Sequence, residues 1–224
     1  MQSIMFMNAK GGSGKSTLAT NLAAYYAAGG ASVTLADFDT QGSCVDWLAA
    51  RSVERPLIRG VHAATKSVKV PPRTDYVIMD APGAVHGRAV GRLVKKVDTL
   101  VIPVSPSPVD IRATAKFIEE LLLVRRVSRE QTRVGVVANR VKREDETFGA
   151  LQRFLDRLHI PMVATFMDRD CYVRAAGVGL SVFEMEGAEA RDEVNRWQPL
   201  LRWVAGKPIV EKDEMDALEV SMVR

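Results

Sequence analysis

The stretch Lys10-Gly11-Gly12-Ser13-Gly14-Lys15-Ser16-Thr17 constrains this chain more than any other. An apolar run from Ile4 to Met7 leads into it and the Ala-rich stretch from Leu18 to Ala28 follows, so strand, glycine-rich loop and helix read in order from residue types. Glycines in such a loop let the backbone fold tightly around an anion and turn successive N–H groups inward at the positive end of the next helix. The loop from Gly11 to Thr17 is therefore read as a phosphate cradle, with Lys15 reaching the β- and γ-phosphates of a nucleotide and Ser16 ligating Mg²⁺. The bland alternative, a Gly/Ser-rich turn before an ordinary helix, does not account for two lysines at this spacing.

Two carboxylate segments follow in the order such a site requires. The second predicted strand runs into Asp37-Phe38-Asp39-Thr40-Gln41-Gly42, which puts two carboxylates at alternate positions and hence on one side of the strand. Ligands of open α/β sheets sit at the carboxyl ends of strands, so both would face the phosphates; a helix cap or turn is the plainer role for either. The apolar strand Tyr76–Met79 then ends in Asp80-Ala81-Pro82-Gly83, where a strand-end carboxylate can hold Mg²⁺ and the Pro-Gly turn passes near the γ-phosphate.

Helical patterns separate the apolar runs, the βαβ signature of a mostly parallel sheet flanked by helices on both faces. Strands are expected at Ser3–Asn8, Ser32–Asp37, Leu57–Val61, Tyr76–Asp80, Thr99–Val104, Val134–Asn139 and Pro161–Thr165. Helices are expected at Ser16–Ala28, Cys44–Ser52, Gly87–Lys95, Val109–Val124, Thr147–Leu158, Asp170–Ala176 and Ala188–Val204. One domain over residues 1–206 and an acidic tail over 207–224 are the expected division of the 224 residues. The tail carries five acids between Glu211 and Glu219, which argues against a basic amphipathic membrane anchor.

The loop departs from the general G-x-x-x-x-G-K-[ST] pattern, since Ala9 stands at its first glycine and Lys10 precedes Gly11-Gly12. The form K-G-G-x-x-K-[ST]-[ST] resembles the deviant Walker A loop of the ParA/MinD family of ATPases, whose signature is the early lysine. Asp37–Gly42 and Asp80–Gly83 resemble that family's D-x-D-P-Q-G and D-x-P-G segments, with Thr40 where proline is usual. Pro103–Asp110, together with Arg174, Ala176, Gly177 and Val182–Glu184, resembles stretches found in small ParA proteins. The resemblance implies the P-loop NTPase architecture and an ATPase that is slow without its partner. It implies a homodimer sandwiching ATP and Mg²⁺, with Lys10 crossing to the partner's ATP, Asp37 and Asp80 supporting Mg²⁺, and Asp39 acting on the attacking water. It further implies ATP-dependent binding to non-specific double-stranded DNA of the nucleoid, and a ParB-like adaptor linking the switch to a plasmid, carboxysome or chemoreceptor cluster. Asn139, at a strand end, is where such enzymes contact adenine, although a turn cap serves an Asn there equally well.

Composition narrows the alternatives. With 47% hydrophobic and 26% charged residues the chain reads as an ordinary globular protein, and the absence of a signal-peptide pattern points to the cytoplasm. Cys44 and Cys171 are too widely spaced for a metal or disulfide framework and read as packing residues. A nitrogenase-reductase-like carrier would need paired cluster cysteines, a MinD-like membrane switch a basic terminal helix, and a metabolic P-loop ligase would bind no DNA. None of the three histidines, His62, His86 and His159, has metal spacing. Between Arg112 and Arg143 nine basic residues face three acidic ones, a balance that fits a polyanion surface and a solvated helix face alike. DNA contacts are expected among Arg140, Lys142, Arg143, Arg169, Arg174 and Arg202.

Overall fold

A computed structural model describes residues 1–64, 69–95, 97–124, 127, 131–142 and 146–207. Seven parallel strands form one sheet in the order β3-β2-β4-β1-β5-β6-β7. They are β1 (Gln2–Phe6), β2 (Val33–Asp37), β3 (Ile58–His62), β4 (Tyr76–Asp80), β5 (Thr99–Val104), β6 (Arg133–Val141) and β7 (Met162–Met167). The helices are α1 (Lys15–Ala28), α2 (Ser43–Ala50), α3 (Arg88–Val94), α4 (Pro108–Leu122), α5 (Glu146–Arg157), α6 (Asp170–Gly177) and α7 (Ala188–Val204), with a 3₁₀ turn at Val182–Glu184. Each expected strand and helix is present within a few residues. Arg143 and the acidic tail from residue 208 lie outside the described residues.

Alternation along the strands divides the core into two layers. Ile4 and Phe6 of β1, with Leu35, Ile78 and Val101, pack beneath α1, α2, α6 and α7. Met5, Val77, Met79, Leu100 and Ile102 point the other way, toward α3, α4 and α5. The central strands are buried on both faces, and that is why they read as unbroken apolar runs rather than as alternating ones. Helix α1 is nearly surrounded, and the alanines at 19, 23, 24 and 27 let it lie close over the sheet.

This topology places the site. From β1 the chain crosses to β2 on one side, while β5, β6 and β7 build outward on the other. Around this switch point the loops after β1, β2, β4 and β6 meet at the carboxyl edge of the sheet.

Candidate functional site

Gly12 (φ 75°) and Gly14 (φ 92°) turn the loop after β1 through the left-handed region, where a side chain is strained. Gly14 is the N-cap of α1, and no side chain caps its first N–H groups, which leaves the helix terminus as an anion site. Gly14 is also needed for space: a Cβ there would lie 2.0 Å from Nδ2 of Asn139. That nitrogen donates to the Ser13 carbonyl at 2.8 Å, so buried Asn139 braces the loop from the end of β6. The bracing leaves only part of the carboxamide for an adenine ring.

Lys15 is 7% exposed and its Nζ donates to the Lys10 carbonyl at 3.4 Å. Burial draws its pKa down, opposed by the charges of Asp80 and Asp39. The hydroxyl of Ser16 donates to Oδ2 of Asp80 at 2.5 Å. Asp80 is pushed up to about 6, chiefly by burial, while the Ser16 bond works against the rise. Its Oδ1 is buried and has no hydrogen-bond partner among the described residues. A buried carboxylate oxygen without a donor, beside a serine hydroxyl and beneath an uncapped helix terminus, fits the hard cation of a magnesium–nucleotide.

The two carboxylates after β2 divide their work. Asp37 is fully buried, with Oδ1 accepting the Asp39 N–H at 2.9 Å and Oδ2 the Cys44 N–H at 2.8 Å. It therefore fills the turn-and-cap role while lying beside Asp80, its register partner on β4. Asp39 accepts the N–H groups of Gln41 and Gly83, both at 3.0 Å, and so ties the segment after β2 to the turn after β4. Gly11, Gly12, Lys15, Ser16, Asp39 and Gly83 share a cleft of about 390 Å³. An adjoining cleft of about 230 Å³ lies between Thr17, Asn139, Met167 and Tyr172, with Thr17, Arg140 and Ala176 lining both.

Lys10 stands at the rim, its side chain 46% exposed and its Nζ 3.7 Å from Oδ1 of Asp110. Buried Asn8 fixes its backbone: Oδ1 accepts the Lys10 N–H at 3.1 Å, while Nδ2 donates to the Pro103 carbonyl and to Thr114 of α4. The Ser107-Pro108 step is the N-cap and first residue of α4, where the Ser107 hydroxyl accepts the Asp110 N–H at 3.1 Å. Asn8 and Asp110 were not identified from sequence as site residues. The available signal was a polar residue placed between the apolar end of β1 and the loop, and a capped helix that begins with an acid.

Among the expected DNA-contact residues that are described, Arg140 and Arg169 both line the second cleft. Arg140 adopts φ 56° at an irregularity between β6 and β7 and lines the nucleotide clefts. Arg174 pairs with Glu189 at 2.6 Å, and Arg169 lies 3.7 Å from Asp192 and 3.9 Å from Glu193. Lys142 is exposed and Arg202 half-buried on α7. Among the described residues no helix is long and apolar enough to cross a membrane.

Fold and loop together define a P-loop nucleotide-binding protein. More narrowly, residues 4–182 match the CobQ/CobB/MinD/ParA nucleotide-binding domain, and the chain belongs to that family, whose ParA and MinD members are ATPases. It is 31% identical over 198 residues to the Maintenance of carboxysome distribution protein A of Halothiobacillus neapolitanus, covering 84% of this chain and 91% of the relative. In fold it is similar to MinD in the MinC:MinD complex of Aquifex aeolicus (TM-score 0.74, 19% identity, 95% of this chain and 99% of the other). It is similar also to a Cyanothece McdA variant in complex with ATP (TM-score 0.68, 14% identity, 95% of this chain and 99% of the other).

Proposed function

We propose that this protein is an ATP-dependent dimerising switch that binds DNA without sequence preference and positions a cargo, with hydrolysis stimulated by an adaptor protein. The observation that carries this reading is Lys10. Its backbone is pinned by buried Asn8 while its ammonium is half-exposed at the cleft rim in a weak contact. Lys15 already serves the phosphates from inside the loop, so a second lysine presented outward suits a nucleotide held by another copy of the chain. The name of the Halothiobacillus relative supports the carboxysome as the cargo class, ahead of a plasmid or chemoreceptor cluster.

In this reading the N–H groups of Gly11–Thr17 and the Lys15 ammonium would hold the phosphates, and Ser16 and Asp80 would hold Mg²⁺ with Asp37 in support. Bound Mg²⁺ supplies neutralisation of phosphate charge. Asp39 orients water through the oxygens it now commits to Gln41 and Gly83. Dimerisation doubles the basic surface, Lys142 included, and each added phosphate contact steepens the salt dependence of DNA binding.

Light scattering with ATP tests the reading. In an Asp39→Ala background, which prevents turnover, the chain should dimerise; adding Lys10→Ala should leave it a monomer that still binds ATP. A Lys10→Ala protein that dimerises as tightly as its parent would refute the trans role. Gel retardation of duplex DNA should require ATP and fall away steeply with salt; no retardation with ATP at low salt would refute the DNA role.

A further inference from the structure

Cys44 is the second residue of α2 and lies beside the two buried aspartates at the ends of β2 and β4. One ligand atom each from Asp37, Cys44 and Asp80 lies within 4.8 Å of the others, and all three residues are buried. The thiol donates to Oδ2 of Asp80 at 3.4 Å, and Asp80, 1% exposed, keeps an oxygen that has no hydrogen-bond partner among the described residues. Magnesium is a hard cation that takes oxygen ligands and gains nothing from sulfur, so the thiol is unexplained by a magnesium–nucleotide. Soft thiolate ligands select zinc-like cations instead.

We propose that Asp37, Cys44 and Asp80 form a binding site for a thiophilic divalent cation of the zinc class, available in the nucleotide-free protein. Ligands of a tetrahedral zinc, at roughly 2.0–2.3 Å from the metal, lie about 3.3–3.8 Å from one another. The Cys44–Asp80 pair already has that separation at 3.4 Å. The two wider pairs share Asp37, whose ligand atom lies within 4.8 Å of the other two and must draw in by up to about 1.5 Å, through rotation of its carboxylate. On binding, the thiol releases its proton to solvent and its sulfur donates an electron pair to the metal, with no change of oxidation state. Two carboxylates and one thiolate exceed the metal's charge by one, and the Lys15 ammonium, close enough to Asp80 to influence its ionisation, offsets the excess. The fourth position is left to water. A cation held here claims Asp80, so zinc and a magnesium–nucleotide compete.

The test titrates Cd²⁺, a spectroscopically visible member of this class, into the full chain without nucleotide. A sulfur-to-cadmium charge-transfer band should grow to one equivalent, disappear in Cys44→Ser, weaken in Asp80→Asn and survive in Cys171→Ser. Zn²⁺ should displace the cadmium, and excess Mg²⁺ alone should not. Absence of the band from the parent protein, or its survival in Cys44→Ser, would overturn the proposal. Cys171→Ser retains Cys44 as its one thiol, so it reports on the site even if Cys44→Ser misfolds. No nucleotide or partner enters the experiment, so its outcome is independent of the switch reading.

Discussion

Gly14→Ala is the substitution on which the loop's architecture can be tested most sharply, because two separate physical terms act at one atom. At φ 92° a Cβ is strained by about 1–2 kcal/mol. The same Cβ would stand 2.0 Å from Nδ2 of Asn139, so the carboxamide must leave. Its 2.8 Å bond to the Ser13 carbonyl is then lost, and an unsatisfied buried group costs about 1–3 kcal/mol. The sum, about 2–5 kcal/mol, corresponds to a fall in Tm of about 4–20 °C for a domain of this size. Asn139→Ala alone should cost about 1–3 kcal/mol, since it removes the same bond without the strain. In the double variant the bond is lost only once, so the combined cost should fall short of the sum by about 1–3 kcal/mol. Thermal unfolding of the four proteins measures this cycle, and binding of a fluorescent ATP analogue reports the loop itself, with Gly14→Ala the weaker binder. Additive effects, or a Gly14→Ala protein as stable as its parent, would show that the loop is not braced by Asn139.

Three further outcomes follow from the buried charges. Arg51 and Glu184 form an ion pair at 2.7 Å with both side chains almost fully buried, so Arg51→Leu, which leaves a buried carboxylate uncompensated, should cost about 3–5 kcal/mol in thermal or denaturant unfolding. Burial alone would raise the pKa of Glu184, but Arg51 and the N–H and hydroxyl of Ser181 prevail and lower it; its contribution is therefore present above the ordinary carboxylate range and lost as pH falls through the lowered value, and Glu184→Gln should flatten the acid limb of a stability–pH profile. Asp80 has the opposite sign: raised to about 6 by burial, it destabilises the cation-free protein when ionised, and it takes a proton as pH falls below that value. Mg²⁺-dependent nucleotide binding, followed by titration calorimetry, should weaken between pH 7 and 5 while the cation-free fold gains stability from this group.

Much of this was legible because the informative signals are local. The apolar run of β1, the glycine loop and the strand-end acids Asp37 and Asp80 each declare themselves within a dozen residues, and a parallel sheet then brings the strand ends together. What stayed hidden depends on partners distant in sequence. Arg169 and Arg174 are candidate DNA contacts in the sequence, and the fold brings them within reach of Glu189, Asp192 and Glu193 of α7, pairings that no local pattern announces. Arg140 continues a strand in the sequence, yet the irregular pairing of β6 with β7 turns it through the left-handed region and into the clefts. Asn139 reads as an adenine contact or a turn cap, and its bond to Ser13 spans 126 residues that no motif connects.

The same distant contacts decide how firmly Lys10 is held before a second nucleotide reaches it. Asn8 connects the lysine's backbone to Thr114 of α4, and the N–H of Ala84 donates to the Ala9 carbonyl, joining the loop to the turn after Asp80. Asp39 closes the circuit by accepting the Gly83 N–H. The backbone of the three loops is thus one hydrogen-bonded unit, and the lysine's ammonium is its loosest part. An ion pair at 3.7 Å with one side chain 46% exposed is screened by solvent and contributes at most about 1 kcal/mol. Asp110 can therefore bias Lys10 toward its own subunit by no more than about fivefold, and a triphosphate with several negative charges, approached across a closing interface where water is excluded, offers far more. The weak partner keeps the lysine near the rim without retaining it there, and releasing it frees an acid at the start of α4, one residue from exposed Val109.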